Sequence, residues 1–278
     1  MTLDKAEIDF FNENGYLVLS DFFQINELNN FKNSLRRIIL TQLKKASKIH
    51  PQISMADFIG KEFDDAMIKF EEIDHQYVAD IYDTIYSTSA FLQLSSKKEI
   101  SECINQLLKR EVDSPLYIDQ SRCRIDPPFD PHNKKCGWHQ EVFYYVPNSN
   151  FVQTWAPLIH NATKENGAIE VCVGSHKNTA KQSCSNPKSE KYSFIVDESE
   201  VEKFQKTTME LKLGQPLIFN SRLIHRSGNN LSKEVRYSLV GINHDLDNEY
   251  FIPPRFIEKD REKKFLSYYE STFKSSTN

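Results

Sequence analysis

What the sequence lacks narrows the field first. No stretch approaches the ~20 consecutive apolar residues that a helical membrane span requires. The opening MTLDKAEIDFF carries acids early and has no apolar heart, so it does not read as a secretory signal. Surplus charge is missing too: 35 Lys+Arg against 39 Asp+Glu give a net charge of −4, with no basic excess to recruit nucleic acid. The five cysteines are an odd number without framework spacing, which suits a reducing compartment rather than a disulfide scaffold. No internal repeat or low-complexity linker divides the chain. These absences point to a cytoplasmic protein, monomeric or homodimeric, that deals with neither membrane nor nucleic acid.

What is present is enough apolar residue to build a core. The 278 residues are 39% hydrophobic and 12% aromatic, and the aromatics favour β structure. The first part reads as helix, turn, strand, helix. Residues 4–12 are helix-prone, Asn14-Gly15 resembles a left-handed helix end, and YLVLSDFF follows as a short strand. Ser20 or Asp21 is placed to cap the next helix, where Leu28, Phe31, Leu35, Ile38, Ile39 and Leu43 recur at helical spacing. Residues 54–110 continue helical; in SSKKEISECINQLLKR, Ser95 or Ser96 can cap and Cys103 falls on the apolar stripe.

After Glu111 the pattern changes to eight short β-prone runs separated by Pro, Asn and Gly: PLYIDQSRCRI, EVFYYVP, FVQTWAPLI, AIEVCVG, YSFIV, TMELKLG, PLIFNS and EVRYSLVGIN. Such a series implies a sandwich, jelly roll or barrel. The expected fold class is α+β with a mainly β core and helices packed outside it, as one domain. Residues 1–112 would be mainly helical support, 113–246 the β core and 247–278 a C-terminal extension ending in a helix.

Within EVFYYVP and the residues before it, His139 and Glu141 stand two positions apart. On a strand they would point the same way, with Gln140 opposite. An imidazole and a carboxylate on one face supply two ligands for a divalent metal, and His225, after the apolar run PLIFNSRLI, offers a third. Two histidines and one carboxylate on one side of a metal form the facial triad of non-haem Fe(II) oxygenases. His50, His75, His132, His160, His176 and His244 compete for the role, and His225 ranks first because its flanks supply a further component. Arg236 lies eleven residues beyond it, with Ser238 on the arginine's face. A guanidinium beside a hydroxyl can hold a carboxylate in a bidentate grip; a strand arginine paired with a surface acid is the plainer alternative.

The segments WHQEVFYYVP, TWAPLIHNATKENGAIEVCVGSHK, GQPLIFNSRLIHRSGNN and RYSL together resemble the phytanoyl-CoA dioxygenase family, as does the opening FFNENGYLVLSDFF. The likeness covers roughly residues 8–33 and 118–244. It implies a double-stranded β-helix (jelly roll) and an Fe(II)- and 2-oxoglutarate-dependent dioxygenase. It also implies that His139, Glu141 and His225 ligate iron, that Arg236 with Ser238 grips the C5 carboxylate of 2-oxoglutarate, and that Trp155 contacts the cosubstrate. The reaction implied consumes O2, releases succinate and CO2, and hydroxylates an unactivated C–H bond. Two positions depart from the family: Glu141 replaces the usual aspartate, and CVGSH lacks the usual proline before glycine. A carboxylate at position 141 argues against a halogenase, which keeps that position small.

The substrate is expected to be a small molecule, polar or anionic. Gln120, Arg122 and Arg124 share parity on the strand before the metal residues, and Phe143, Tyr144 and Tyr145 follow them. Segments 126–137 and 177–195, long and polar, read as lids. Two other readings stand beside the oxygenase. A cupin-type metalloenzyme would keep the metal ligands without using 2-oxoglutarate, and a non-catalytic jelly roll would only bind a metabolite or a protein.

Overall fold

The first helix, α1 (Lys5–Asn14), begins with reciprocal bonds between Asp4 and Glu7: each side chain accepts the other's backbone N–H. It stops at Gly15, whose φ of 84° is a left-handed end that favours glycine. A Cβ at Gly15 would also collide with the ring of His176, which hydrogen-bonds the Asn12 carbonyl. The GSH segment is therefore docked against the end of α1. The computed structural model describes residues 1–55, 63–128, 137–143, 150–180, 182–184, 194–248 and 251, apart from the side chains of residues 120, 143, 182–184 and 194.

After β1 (Tyr16–Val18) comes α2 (Ile25–Ile49), which buries Leu28, Phe31, Leu35, Ile39 and Leu43 as the spacing predicts. Its cap differs from expectation. Asp21 occupies a positive-φ turn and Phe22 and Phe23 are buried, so the helix starts at Gln24, whose N–H donates to Glu27. Four helices follow: α3 (Phe63–Ile73), α4 (His75–Ile85), α5 (Ser89–Ser95) and α6 (Lys98–Leu107). Ser95 and Ser96 do not cap α6. Both hydroxyls bond back to the Leu92 carbonyl and close α5, and Lys97 takes the cap position. Cys103 is fully buried in α6. None of the described helices is long and apolar enough to cross a membrane.

The remaining strands are β2 (Leu116–Asp126), β3 (Phe151–Pro157), β4 (Ile169–Cys172), β5 (Gln182–Cys184), β6 (Phe194–Val196), β7 (Lys206–Thr208), β8 (Leu217–Asn220), β9 (His225–Ser227) and β10 (Arg236–Asp245); the short helix α7 (Glu198–Val201) precedes β7. They form an antiparallel five-stranded sheet ordered β1-β8-β3-β10-β2, a three-stranded sheet β7-β4-β9, and the hairpin β5-β6. Between the two larger sheets, Trp155, Leu217 and Phe219 meet Ile169, Val171, Met209, Leu211 and Leu223. On the other face of the large sheet, Val152, Ala156, Tyr237, Leu239 and Cys123 join the buried stripes of the helices. Phe31, Phe70 and Phe91 are wholly buried in that layer, each stabilising the fold by about 2–3 kcal/mol. Two facing sheets with helices covering one of them are the jelly roll that the strand series implied.

Three strand assignments change. Instead of one strand through EVFYYVP, residues Glu141–Phe143 form a 3₁₀ turn and residues 144–149 lie outside the described residues. TMELKLG contributes only Thr208, the last residue of β7 (Lys206–Thr208), and a single bridge, Leu211 to Ala162. PLIFNS ends at Asn220, and His225 begins a separate strand of the smaller sheet. The C-terminal extension beyond Phe251 lies outside the described residues.

Candidate metal centre

His139 is held by a lone antiparallel bridge to His225, each N–H donating to the other's carbonyl at 3.0 Å. The pairing sets the two imidazoles side by side, with ring centroids 4.2 Å apart. Between His139 and Glu141, Gln140 points the other way, as alternation requires. Its buried amide takes the carbonyls of Asn178 and Arg222 and receives the Ala180 N–H. With Gln140 engaged in those crossing segments, and Val142 N–H donating to the Ser221 carbonyl, the chain turns rather than continuing a ladder. The alternation survives although the strand does not.

From the first residue of that turn, Glu141 brings Oε2 to 3.4 Å from His139 Nε2 and 3.7 Å from His225 Nε2. The additional methylene therefore does not carry the oxygen past the imidazoles. The potential ligand atoms of His139, Glu141 and His225 all lie within 4.8 Å of one another, the one such group of three found among the described residues. Each Nδ1 donates to a carbonyl at 2.8 Å, His139 to Gly137 and His225 to Leu223. Both Nε2 lone pairs are thus left for the centre, the arrangement in which a second hydrogen bond fixes the tautomer of a metal-bound histidine.

Burial, reinforced by the neighbouring His139, pushes His225 down to about 3, against the opposing pull of Glu141. Burial acts to raise Glu141, but the close imidazoles of His139 and His225, with the Arg124 guanidinium, hold it below the usual carboxylate range. A neutral imidazole next to an ionised carboxylate is the donor set a divalent cation takes up. Beside it, Arg226 lies over Trp138, 4.4 Å from the ring centroid, and its Nε meets Glu170 at 2.6 Å. This clamp joins the neighbours of both histidines. Arg226→Ala is expected to cost about 1 kcal/mol, because the ion pair is partly exposed and the ring contact modest. A thermal melt should show the midpoint falling by about 2–4 °C.

Arg236 opens β10 with its guanidinium buried. Nη2 donates to Asp126 at 2.8 Å and Nη1 makes a long contact of 3.5 Å with the Asn166 carbonyl, while Nε has no partner. Ser238, two residues on, is fully buried and its Oγ is also unpartnered. Buried polar groups are rarely left unsatisfied, so these two adjacent donors fit an oxygen-rich guest. Asp126, directly opposite Arg236 in register, also takes Arg124 Nη2 at 2.9 Å. Burial acts to raise Asp126, but the two guanidinium charges and their hydrogen bonds bring it to about 2. Sequence reasoning missed Asp126, although its parity with Arg124 was a usable signal.

The other sequence candidates are scattered more widely. Trp155 is packed between the sheets beside Phe219, whose ring lies 4.8 Å from that of His225. Arg124 is partly buried and close enough to act on Glu141 and His225. Arg122 is exposed and hydrogen-bonds Tyr82 of α4 on the helical side. The side chains of Gln120 and Phe143, and the whole of Tyr144 and Tyr145, lie outside the described residues. So does His132, and most of segments 126–137 and 177–195. His160 pairs with Asp64 and His75 with Glu71, while His244, lowered to about 4 by burial, sits among the rings of Tyr117, Phe151 and Phe251. Gln153, on β3 beside Phe219, is 2% exposed with an unpartnered Nε2.

The sequence profile of the phytanoyl-CoA dioxygenase (PhyH) family matches residues 11–238. Among solved structures, EctD from S. alaskensis with 2-oxoglutarate and 5-hydroxyectoine is similar with a TM-score of 0.58 at 18% identity, over 90% of this chain and 78% of that one. EvdO2 from Micromonospora carbonacea var. aurantiaca, complexed with 2-oxoglutarate, gives 0.56 at 16% identity, over 92% and 96%. The epimerase SnoN, in complex with Fe3+, alpha ketoglutarate and nogalamycin RO, gives 0.57 at 13% identity, over 87% and 83%. At these identities the likeness establishes a shared fold.

Proposed function

The chain belongs to the phytanoyl-CoA dioxygenase family, and on that premise we propose that it is an Fe(II)- and 2-oxoglutarate-dependent dioxygenase. It hydroxylates an unactivated C–H bond of a small-molecule metabolite, releasing succinate and CO2. The observation that carries this reading is the convergence of two Nε2 atoms and one carboxylate oxygen within 4.8 Å, with both Nδ1 atoms already engaged. Supporting it are the buried, unpartnered Arg236 Nε and Ser238 Oγ.

His139, Glu141 and His225 would hold the iron on one side and leave the remaining positions open. Arg236 and Ser238 would take the distal carboxylate of 2-oxoglutarate. Bound ferrous iron and 2-oxoglutarate together supply the O2-derived oxidant that attacks the C–H bond. Trp155 and Phe219 exclude water from the interior next to His225. The helical layer supports the β core as part of one oxygenase domain, since a single apolar cluster runs from Leu3 to Leu239.

The substrate is polar rather than strongly anionic. Arg122 is engaged with Tyr82 and Arg124 already shares Asp126. Gln153 Nε2 remains as a buried donor for a substrate carbonyl, ether or hydroxyl oxygen. A cytoplasmic setting fits the buried thiols of Cys103, Cys123 and Cys172, which burial pushes upward, Cys103 and Cys172 to about 11.

Arg236→Ala tests the cosubstrate half of this reading. Two charge-assisted hydrogen bonds are worth about 3–4 kcal/mol, so the apparent KM for 2-oxoglutarate is expected to rise by roughly 10²-fold or more. Succinate formation with Fe(II) and O2 is the assay. Turnover indifferent to the substitution would favour a cupin-type enzyme, and no succinate from the parent would favour a binding protein.

A further inference from the structure

Asp64, near the start of α3, is a carboxylate only 6% exposed within the helical layer. Burying a charge there is costly unless it is well used. Asp64 Oδ2 accepts the Val235 backbone N–H at 3.0 Å and contacts His160 Nε2 at 2.8 Å. The Tyr237 ring packs edge-on against Phe63 at 5.9 Å. Val235 and Tyr237 are the residues immediately before and after Arg236.

The geometry points to Asp64 as a positioning residue for Arg236, an inference that rests on Arg236 gripping the distal carboxylate of 2-oxoglutarate. On a strand, consecutive side chains alternate faces. Holding the Val235 N–H on Asp64 and the Tyr237 ring against Phe63 therefore fixes the direction in which Arg236 leaves the other face. Asp126 and the Asn166 carbonyl then hold the guanidinium from inside. Asp64 sets the base of the side chain and Asp126 its head. His160, just beyond β3, joins the same carboxylate, so the tether also ties Arg236 to the strand that carries Trp155. An offset of about 1 Å in a binding group costs up to roughly 10²-fold, so loosening the base matters even though Asp64 itself lies on the opposite side of the sheet.

The test is anaerobic calorimetry of 2-oxoglutarate binding to the full chain loaded with Mn(II), with Mn(II) affinity measured separately. Asp64→Asn keeps the shape but removes the charge. The expected result is about tenfold weaker 2-oxoglutarate binding with Mn(II) affinity unchanged, because the metal residues do not touch Asp64. A general structural defect would weaken both together, or lower the melting temperature while leaving both affinities intact; either overturns the inference. His160→Gln, which removes the imidazole that meets Asp64 at 2.8 Å, provides a second arm if Asp64→Asn does not fold. It is expected to weaken 2-oxoglutarate by about threefold with Mn(II) binding intact, and unaltered 2-oxoglutarate affinity overturns the inference. If the parent binds no 2-oxoglutarate, or Arg236→Ala binds it as the parent does, the functional reading itself fails and the positioning role with it.

Discussion

His225→Ala is expected to reduce succinate formation by more than about 10³-fold and to abolish stabilisation by metal. Losing a supporting residue behind a metal ligand already costs about 10–100-fold, and His225 is one of only three converging side chains among the described residues. Without it Glu141 and His139 face each other across 3.4 Å with nothing to complete the set. The measurement is a thermal melt with and without Mn(II). For the parent, metal at a hundredfold excess over its Kd should add about 2.7 kcal/mol of stability; for the variant the two melts should coincide. A variant that keeps both the metal-induced shift and turnover would remove His225 from the metal site.

Gly167→Ala is expected to have the next largest effect, through a residue that makes no contact with the metal. Gly167 holds a φ of +81° in the Glu165-Asn166-Gly167 turn, where any L side chain costs about 1–2 kcal/mol. A Cβ there would stand 2.6 Å from the Gly228 carbonyl oxygen and 2.7 Å from Arg236 Nη1. The first obstacle is backbone and cannot swing aside, and the second is the buried guanidinium itself. Adding the strain and the forced shift gives about 3–4 kcal/mol of lost stability. The midpoint of thermal unfolding should fall by about 6–12 °C, and 2-oxoglutarate affinity should fall in the protein that remains folded. If stability drops and cosubstrate affinity does not, Arg236 has room that these distances do not show.

That turn illustrates what the sequence allowed to be read. ENG followed by V-GSH and R-x-S could be recognised as a pattern, but not why the pieces belong together. In the structure Gly167 is small because Arg236 passes it, and Gly15 is small because the His176 ring sits over it. The helices from α2 to α6 were legible because their apolar stripes are local and strictly periodic. Their starts were not, since Ser20, Asp21, Ser95 and Ser96 all look like caps, and neighbours in space decided otherwise. His139 and Glu141 were placed together for the right alternation on the wrong element. The turn at 141 depends on Gln140 finding partners at 178, 180 and 222, and no local pattern reveals such long-range bonds. Asp64 and Gln153 were invisible for the same reason.

The five-stranded sheet has a further consequence for how molecules meet one another. Among the described residues β2 ends that sheet, and an unpaired outer strand is a template on which a second chain can add a ladder and begin a fibril. The outer rim carries two deterrents. Arg122 is a charged, exposed side chain there, and the register of β2 against β10 slips between Val240 and Ile242, so the rim is kinked as well as charged. A charged, irregular border disfavours flat edge-to-edge pairing along β2.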